Sequence, residues 1–394
     1  MTPRERILAA INHIEPDKVP IGVGGIMTCC FTGPSYEKLS KHLIDSEIIN
    51  SFGPEKIVHP LLDVVVPPEE ILLLFGSDCR GIRMKGPKDK SGNTSERKVS
   101  FSSGNLRDRP HGDIFIDEMG TQWKKCSHEY SPVGYPLREL SLSQLKKYPF
   151  PDAYNPGRVE GLRVEAKELY NNTDFAVCSD IICGGPYEES QWLRGYEQFL
   201  TDLMIDKVFA QSLLEKITDY DIQLWDALLS EIGDTVDVVC QGEDMGSTFG
   251  LQINPELYRK IIKPFHKKLF SFIRSKTNAK IWLHSCGSVY EIIPDFIDLG
   301  IDILNPVQYS AKNMDLVTLK KEFGKDICFW GGGINVEHLP TQNLKELRET
   351  IKRNIDIMGR GGGYIFASTH NIMPETEGWK SYEAFMAANE YRRI

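Results

Sequence analysis

No stretch of this 394-residue chain approaches the roughly 20 uninterrupted apolar residues that a membrane span requires. The opening MTPRERILAAINHIEPDKVP carries charge throughout and lacks the apolar core and small-residue cleavage site of a secretory leader. Positive charge is in deficit. With 46 lysines and arginines against 55 aspartates and glutamates, the net charge of -9 disfavours general attraction to nucleic acid phosphates or anionic lipid. The dense cysteine framework of a small secreted domain is also missing, since the nine cysteines are odd in number and scattered. No repeat of fixed period occurs, which sets aside repeat architectures. A cytoplasmic protein that meets small molecules or other proteins, with no nucleic acid and no membrane, is the expectation.

What is present is ordinary globular composition, 41% hydrophobic and 26% charged, enough for a sizeable core. The length suits one domain over residues 1–394, because barrels of alternating strands and helices routinely exceed 250 residues. RERILAAINH has apolar residues at helical spacing and predicts an N-terminal helix, ended by EPDKVP before a short strand-like VPIGVGG. Residues 84–112 are rich in Ser, Gly, Lys and Arg, and the alternating DIFIDEMGTQW follows. This predicts an exposed loop and β-hairpin inserted over residues 80–127.

Beyond PFPDAYNPG the pattern becomes regular. FAVCSDIICGG, VDVVCQGEDMG, AKIWLHSCG, IDILNPVQ, ICFWGGG and GYIFASTHN are short apolar runs separated by helical or loop sequence. Strands alternating with amphipathic helices imply parallel βαβ units, and two further N-terminal strands would close an α/β (β/α)8 TIM barrel. A doubly wound open sheet is the competing architecture, because periodicity cannot show closure.

Each run ends in a polar or glycine cluster, and in a parallel barrel those ends share one rim. His284 and Cys286 are two apart, so in a strand they project to one side, and imidazole nitrogen with thiolate sulfur is a zinc donor pair. Glu243 and His370 end other runs and are the candidates for the remaining ligands. The same residues also fit blander roles: His284 as a hydrogen-bonded rim histidine, Cys286 as a small apolar group, Glu243 and Asp244 as helix caps, and His370 as a loop brace. Asp244, with Glu243, is a candidate catalytic acid. Asn305, Gln308 and Asn371 are substrate-binding candidates, as are the carboxylates Asp78, after the apolar ILLLF, and Glu188. The glycines at 331 to 333 permit close backbone approach.

These segments together resemble the uroporphyrinogen decarboxylase superfamily, and specifically its corrinoid-dependent methyltransferase branch, near the first methyltransferases of O-demethylase systems. The stretches that carry the likeness are RERILAAINHIEPDKVPIG, PFPDAYNPGRVEGLR, GYEQFLTDL, GEDMG, INPELYRKIIKPFHKKLF, HSCGSVYEIIPDFIDLGIDILNPVQ, FWGGG and GGGYIFASTHNI. The resemblance implies a single barrel and a Zn2+ ion held partly by the H-x-C pair, here His284 and Cys286. Relatives that methylate a thiol carry a further Cys at the end of the last strand, where this chain has His370.

Each thiolate donates charge to zinc and weakens it as a Lewis acid, so a set poorer in thiolate suits an oxygen or nitrogen leaving group. The expected substrate is therefore a methylated small molecule, such as a methoxylated aromatic or another methyl ether or amine, with the methyl passing to cobalamin in its cob(I)alamin state. None of the nine histidines has an Asp two residues before it, the usual mark of a cobalt-ligating His, so the cobalamin is expected on a separate corrinoid protein. Three rivals stand beside this expectation. Porphyrinogen decarboxylation would call for arginines near IGVGGIMTCC, which has none. Methyl transfer from the corrinoid to a thiol or folate reverses the direction. A non-catalytic binding module with a sealed structural zinc needs no substrate at all.

Overall fold

The computed structural model describes residues 1–59, 62–88, 114–126 and 129–393. Seven parallel strands lie side by side in chain order: β1 (Cys79–Ile82), β2 (Ala176–Ser179), β3 (Val238–Gly242), β4 (Lys280–His284), β5 (Ile303–Asn305), β6 (Cys328–Trp330) and β7 (Tyr364–Ile365). β2 to β7 are the six runs that the sequence pattern marked as strands. Their unbroken Val, Ile and Cys content reflects burial on both faces, inner and outer.

Residues 20–22 join the two edges of this sheet. Ile21 bridges Phe366 in parallel beyond β7, and its carbonyl accepts the Asp78 N–H at the start of β1 at 2.8 Å. The eighth position of the barrel is thus the VPIGVGG segment, and closure wins over the open sheet. Helices fill the crossovers, among them Leu162–Asn172, Lys207–Ile232, Lys263–Lys276, Leu316–Phe323 and Leu344–Met358, and Gly378–Tyr391 follows β7.

The helix Lys207–Ile232 shows why these segments dock. Leu213, Leu214, Ile217, Leu224, Trp225, Leu228 and Leu229 recur at helical spacing and are all buried. Each such side chain contributes about 1.5–3 kcal/mol by leaving water. The N-terminal helix Pro3–Ile11 is started by a capping box, in which the Thr2 side chain accepts the Glu5 N–H and the Glu5 side chain accepts the Thr2 N–H. Among the described residues no helix is long and apolar enough to cross a membrane.

Two expectations about the N-terminal third need correction. The apolar ILLLF forms the end and C-cap of the helix Glu69–Leu74, and β1 comes only after it. Asp78 therefore stands at the start of β1, on the end of the barrel opposite the rim of strand C-termini. There its carboxylate accepts the Ile21 N–H at 2.8 Å and pairs with Arg6 and with Arg392 at 3.3 Å. It closes the barrel rather than facing a substrate.

The insertion drawn over residues 80–127 also begins too early, because it takes in most of β1. It also ends too early: Ile114–Ile116 and Gln122–Cys126 form the expected hairpin, and Glu129–Gly134, beyond residue 127, adds a third antiparallel strand. The third strand contains Pro132, which hid its alternation. Residues 89–113, the middle of the stretch expected to be an exposed loop, lie outside the described residues.

Candidate metal and active site

The strand register builds the site. It pairs Gly242 with His284 and His284 with Asn305, so the C-terminal ends of β3, β4 and β5 form one row. His284 ends β4, Cys286 lies two residues on, and His370 follows β7 around the rim. The ligand atoms of these three side chains all lie within 4.8 Å of one another.

Asn305 decides which imidazole nitrogen is offered. Its Nδ2 donates to the Trp330 carbonyl at 2.7 Å, which leaves Oδ1 toward His284 Nδ1, also at 2.7 Å. Nδ1 must then carry the hydrogen, and the Nε2 lone pair faces Cys286 Sγ at 3.2 Å. This outer hydrogen bond is how a metal-binding histidine is usually oriented. Asn305 is fully buried and its two amide ends are engaged, so it positions His284 instead of touching substrate.

Burial and the carboxylates of Asp244 and Glu188 push the Cys286 thiol well above its ordinary pKa. An anion there needs a cation, and a borderline divalent ion is the partner that sulfur and nitrogen donors select. Cys286 and His370 are only partly buried, which leaves the group open on one side. The donor set and the fixed tautomer fit zinc.

Glu243 does not join the three ligands. Its Oε1 accepts the Glu188 N–H at 2.8 Å, and its Oε2 accepts the Tyr187 N–H at 3.4 Å and meets His266 Nε2 at 3.0 Å. Tyr187 and Glu188 open the helix Pro186–Arg194, so Glu243 satisfies first-turn amides that have no partner within the helix. The blander role of helix cap holds, though for a helix that precedes it in the chain. Gly185 is the hinge: at φ 79° it takes a backbone form that L side chains resist, and any Cβ there would collide with Glu243 Oε2.

Glu243→Gln is accordingly expected to keep the full metal content of the wild type. It should lose about 1–3 kcal/mol of stability, because one buried amide meets a donor instead of an acceptor. Metal analysis beside denaturant unfolding checks both halves; loss of metal with the fold intact would return Glu243 to the ligand set.

Asp244 turns the other way, toward the ligands. Its Oδ1 accepts the Cys286 N–H at 2.8 Å and lies 3.8 Å from His284 Nε2. Glu188 Oε2 accepts the Asp244 N–H at 3.2 Å. Burial, then the neighbouring charges of Asp244 and Glu243, raise the Glu188 carboxyl well above the usual carboxylate range. A carboxyl whose neutral form is favoured thus stands near Cys286.

The remaining candidates are structural in their contacts. The Gln308 side-chain carbonyl accepts the Gly287 N–H and braces the turn after Cys286. Asn371 is buried and accepts the Cys30 N–H at 2.9 Å. The carbonyls of Gly332 and Gly333 accept from Asn354 Nδ2 at 3.1 and 3.2 Å, and Gly333 packs on Phe366. Those glycines admit protein, not ligand.

His266 and Tyr258 were not anticipated. His266 shares hydrogen bonds with Glu243 and, through Nδ1, with the Tyr258 hydroxyl at 3.2 Å. The signal was available: His266 falls on the buried stripe of Ile262, Leu269, Phe270 and Ile273 in its helix, where an imidazole requires a buried polar partner.

Comparison with known proteins bears on the family and the fold. The uroporphyrinogen decarboxylase (URO-D) family model matches residues 115–391. A solved methyltransferase from Methanosarcina mazei superposes with a TM-score of 0.64 over 99% of both chains at 17% identity, which speaks for the fold. A methionine synthase of Methanothermobacter thermautotrophicus strain Delta H is 24% identical over 93 residues, 24% of this chain and 30% of that protein. The chain thus spans under a third of that relative's length.

Proposed function

The chain belongs to the uroporphyrinogen decarboxylase family, and from that premise we propose that it is a zinc-dependent methyltransferase, transferring methyl from a methylated small molecule to cob(I)alamin on a separate corrinoid protein. The observation that carries this reading is the convergence of His284 Nε2, Cys286 Sγ and His370 at the barrel mouth, with Glu188 nearby in a setting that favours its neutral form. The fold neighbour's description as a methyltransferase supports it.

One thiolate and two imidazoles form the ligand set. Zinc held there supplies Lewis acidity toward the oxygen or nitrogen that gives up its methyl group. This chain's residues then have separate tasks. Asn305 holds His284 in the ligating tautomer, and the turn braced by Gln308 holds Cys286. As the carbon–oxygen or carbon–nitrogen bond breaks, its electron pair stays on the heteroatom and the methyl carbon passes to the corrinoid. Glu188, with Asp244 beside it, delivers the proton that the heteroatom then needs. Glu243, the earlier candidate for that task, is turned away and engaged with His266.

Decarboxylation of a polycarboxylate would need free cations at the mouth. Arg83, which reaches the glycine-rich loop at the Gly24 carbonyl, is already paired with Asp180 at 2.7 Å. A second reading, methyl transfer from the corrinoid to a thiol or folate, draws on the partial match to a methionine synthase.

The test is to supply cob(I)alamin on a corrinoid protein together with methoxylated aromatics, other methyl ethers or methylamines, and to follow the loss of the cob(I)alamin absorbance. Turnover is expected with one donor class and is expected to fall at alkaline pH, as Glu188 loses its proton; Glu188→Gln should remove that alkaline limb together with most of the rate. No methylation from any donor would refute the reading. Demethylation of a methylated corrinoid by a thiol or folate would instead establish the reverse direction.

A further inference from the structure

A second group of donors lies apart from the mouth. Cys183 Sγ and carboxylate oxygens of Glu189 and Asp221 all lie within 4.8 Å of one another, and all three residues are buried. They come from three places: the loop after β2, the helix Pro186–Arg194 and the long helix Lys207–Ile232. Asp221 is 0% exposed, and neither of its carboxylate oxygens has a hydrogen-bond partner among the described residues. An orphaned buried carboxylate is costly, and two acidic groups with a thiol around one point are costlier unless a cation joins them. The local guanidinium does not serve, since Arg158 is paired with Glu118 at 2.6 Å.

We propose that Cys183, Glu189 and Asp221 bind a second divalent transition-metal ion, zinc by the chemistry of the donors, as a structural site. A thiolate among the donors argues against calcium or magnesium, which take oxygen ligands. Around tetrahedral zinc, with bonds of about 2.0–2.3 Å, ligand atoms sit roughly 3.5 Å apart, so side-chain contraction of about 1 Å closes the group. Binding removes the thiol proton that Cys183 now donates to Gln241 Oε1 at 3.3 Å. Burial raises the carboxyls of Glu189 and Asp221 above the usual range, which reflects the cost of holding both as anions without a cation.

The ion would tie the helix that presents Glu188 and grips Glu243 to the longest helix of the barrel. The site is independent of the mouth and of the function proposed for it.

Zinc content of the purified full chain tests this, after loading with zinc and removal of excess. The variants are Asp221→Asn, Glu189→Gln and a mouth double variant, His284→Ala with Cys286→Ala. Wild type is expected to hold two equivalents and the double variant one, and adding Asp221→Asn is expected to remove that last one. X-ray absorption of the zinc in the double variant should read one sulfur with oxygen neighbours. Chelation should lower its Tm but leave the Tm of the Asp221→Asn triple variant unmoved.

A double variant that holds no zinc, or Asp221→Asn and Glu189→Gln that each retain the parent content, would overturn the proposal. If instead the mouth holds no metal, wild type will carry one equivalent that survives Cys286→Ala and disappears in Asp221→Asn.

Discussion

Cys286→Ala is expected to empty the mouth of zinc and to lower methyl transfer by at least about 10³-fold while the chain stays folded. Lewis-acid stabilisation of a leaving atom is worth several kcal/mol, and each 1.4 kcal/mol is about tenfold in rate. Cys286 is partly buried at the rim, and its side chain meets polar groups, so alanine there opens no large cavity. His370→Ala should weaken zinc binding by less, because His284 and Cys286 remain locked together by the strand end and by Asn305. Metal analysis of the two variants beside wild type, with circular dichroism as the folding control, checks the result. Full zinc content in both variants would remove the mouth from consideration as a metal site.

Asp78→Ala has the opposite signature: a stability loss of about 3–5 kcal/mol with the zinc content unchanged. Asp78 is buried between Arg6 and Arg392 and accepts the Ile21 N–H. Removing it takes the buried carboxylate from between two guanidinium groups, leaving Arg6 to Asp17 and Arg392 to the Gly76 carbonyl, and strands one backbone donor at the seam where residues 20–22 close the barrel. Denaturant unfolding should show a lower midpoint at unchanged slope, as expected when stability alone changes. If Asp78 contacted substrate, the variant would instead unfold normally and lose activity.

Much of the barrel was legible because a strand buried on both faces has nowhere to place a polar side chain until it ends. The runs that became β2 to β7 could be picked out by that rule, and their polar endings marked the rim. β1 escaped it. CRGI carries an arginine whose guanidinium pairs with Glu69 and lies over the Phe175 ring, and such support is invisible before the fold brings those groups together.

The site was legible in part for a related reason. His284 and Cys286 are two apart on one chain, so strand geometry alone points them together. Glu243 misled because a carboxylate at a rim suits either a metal or a helix N-terminus, and only the position of the helix Pro186–Arg194 selects between them. Asp221 passed unnoticed although it interrupts the apolar stripe of Lys207–Ile232, where a charged residue without a local partner is a mark of something buried.

Periodicity, composition and the two-residue H-x-C spacing by themselves determined that parallel strands alternate with helices and that an imidazole and a thiol share a rim. Those are local consequences of how a backbone repeats. Closure through residues 20–22, the tautomer of His284, the diversion of Glu243 and the meeting of Cys183, Glu189 and Asp221 were decided only by tertiary structure. Each depends on groups tens to hundreds of residues apart competing for the same few buried hydrogen bonds and charges, and packing alone settles which of them meet.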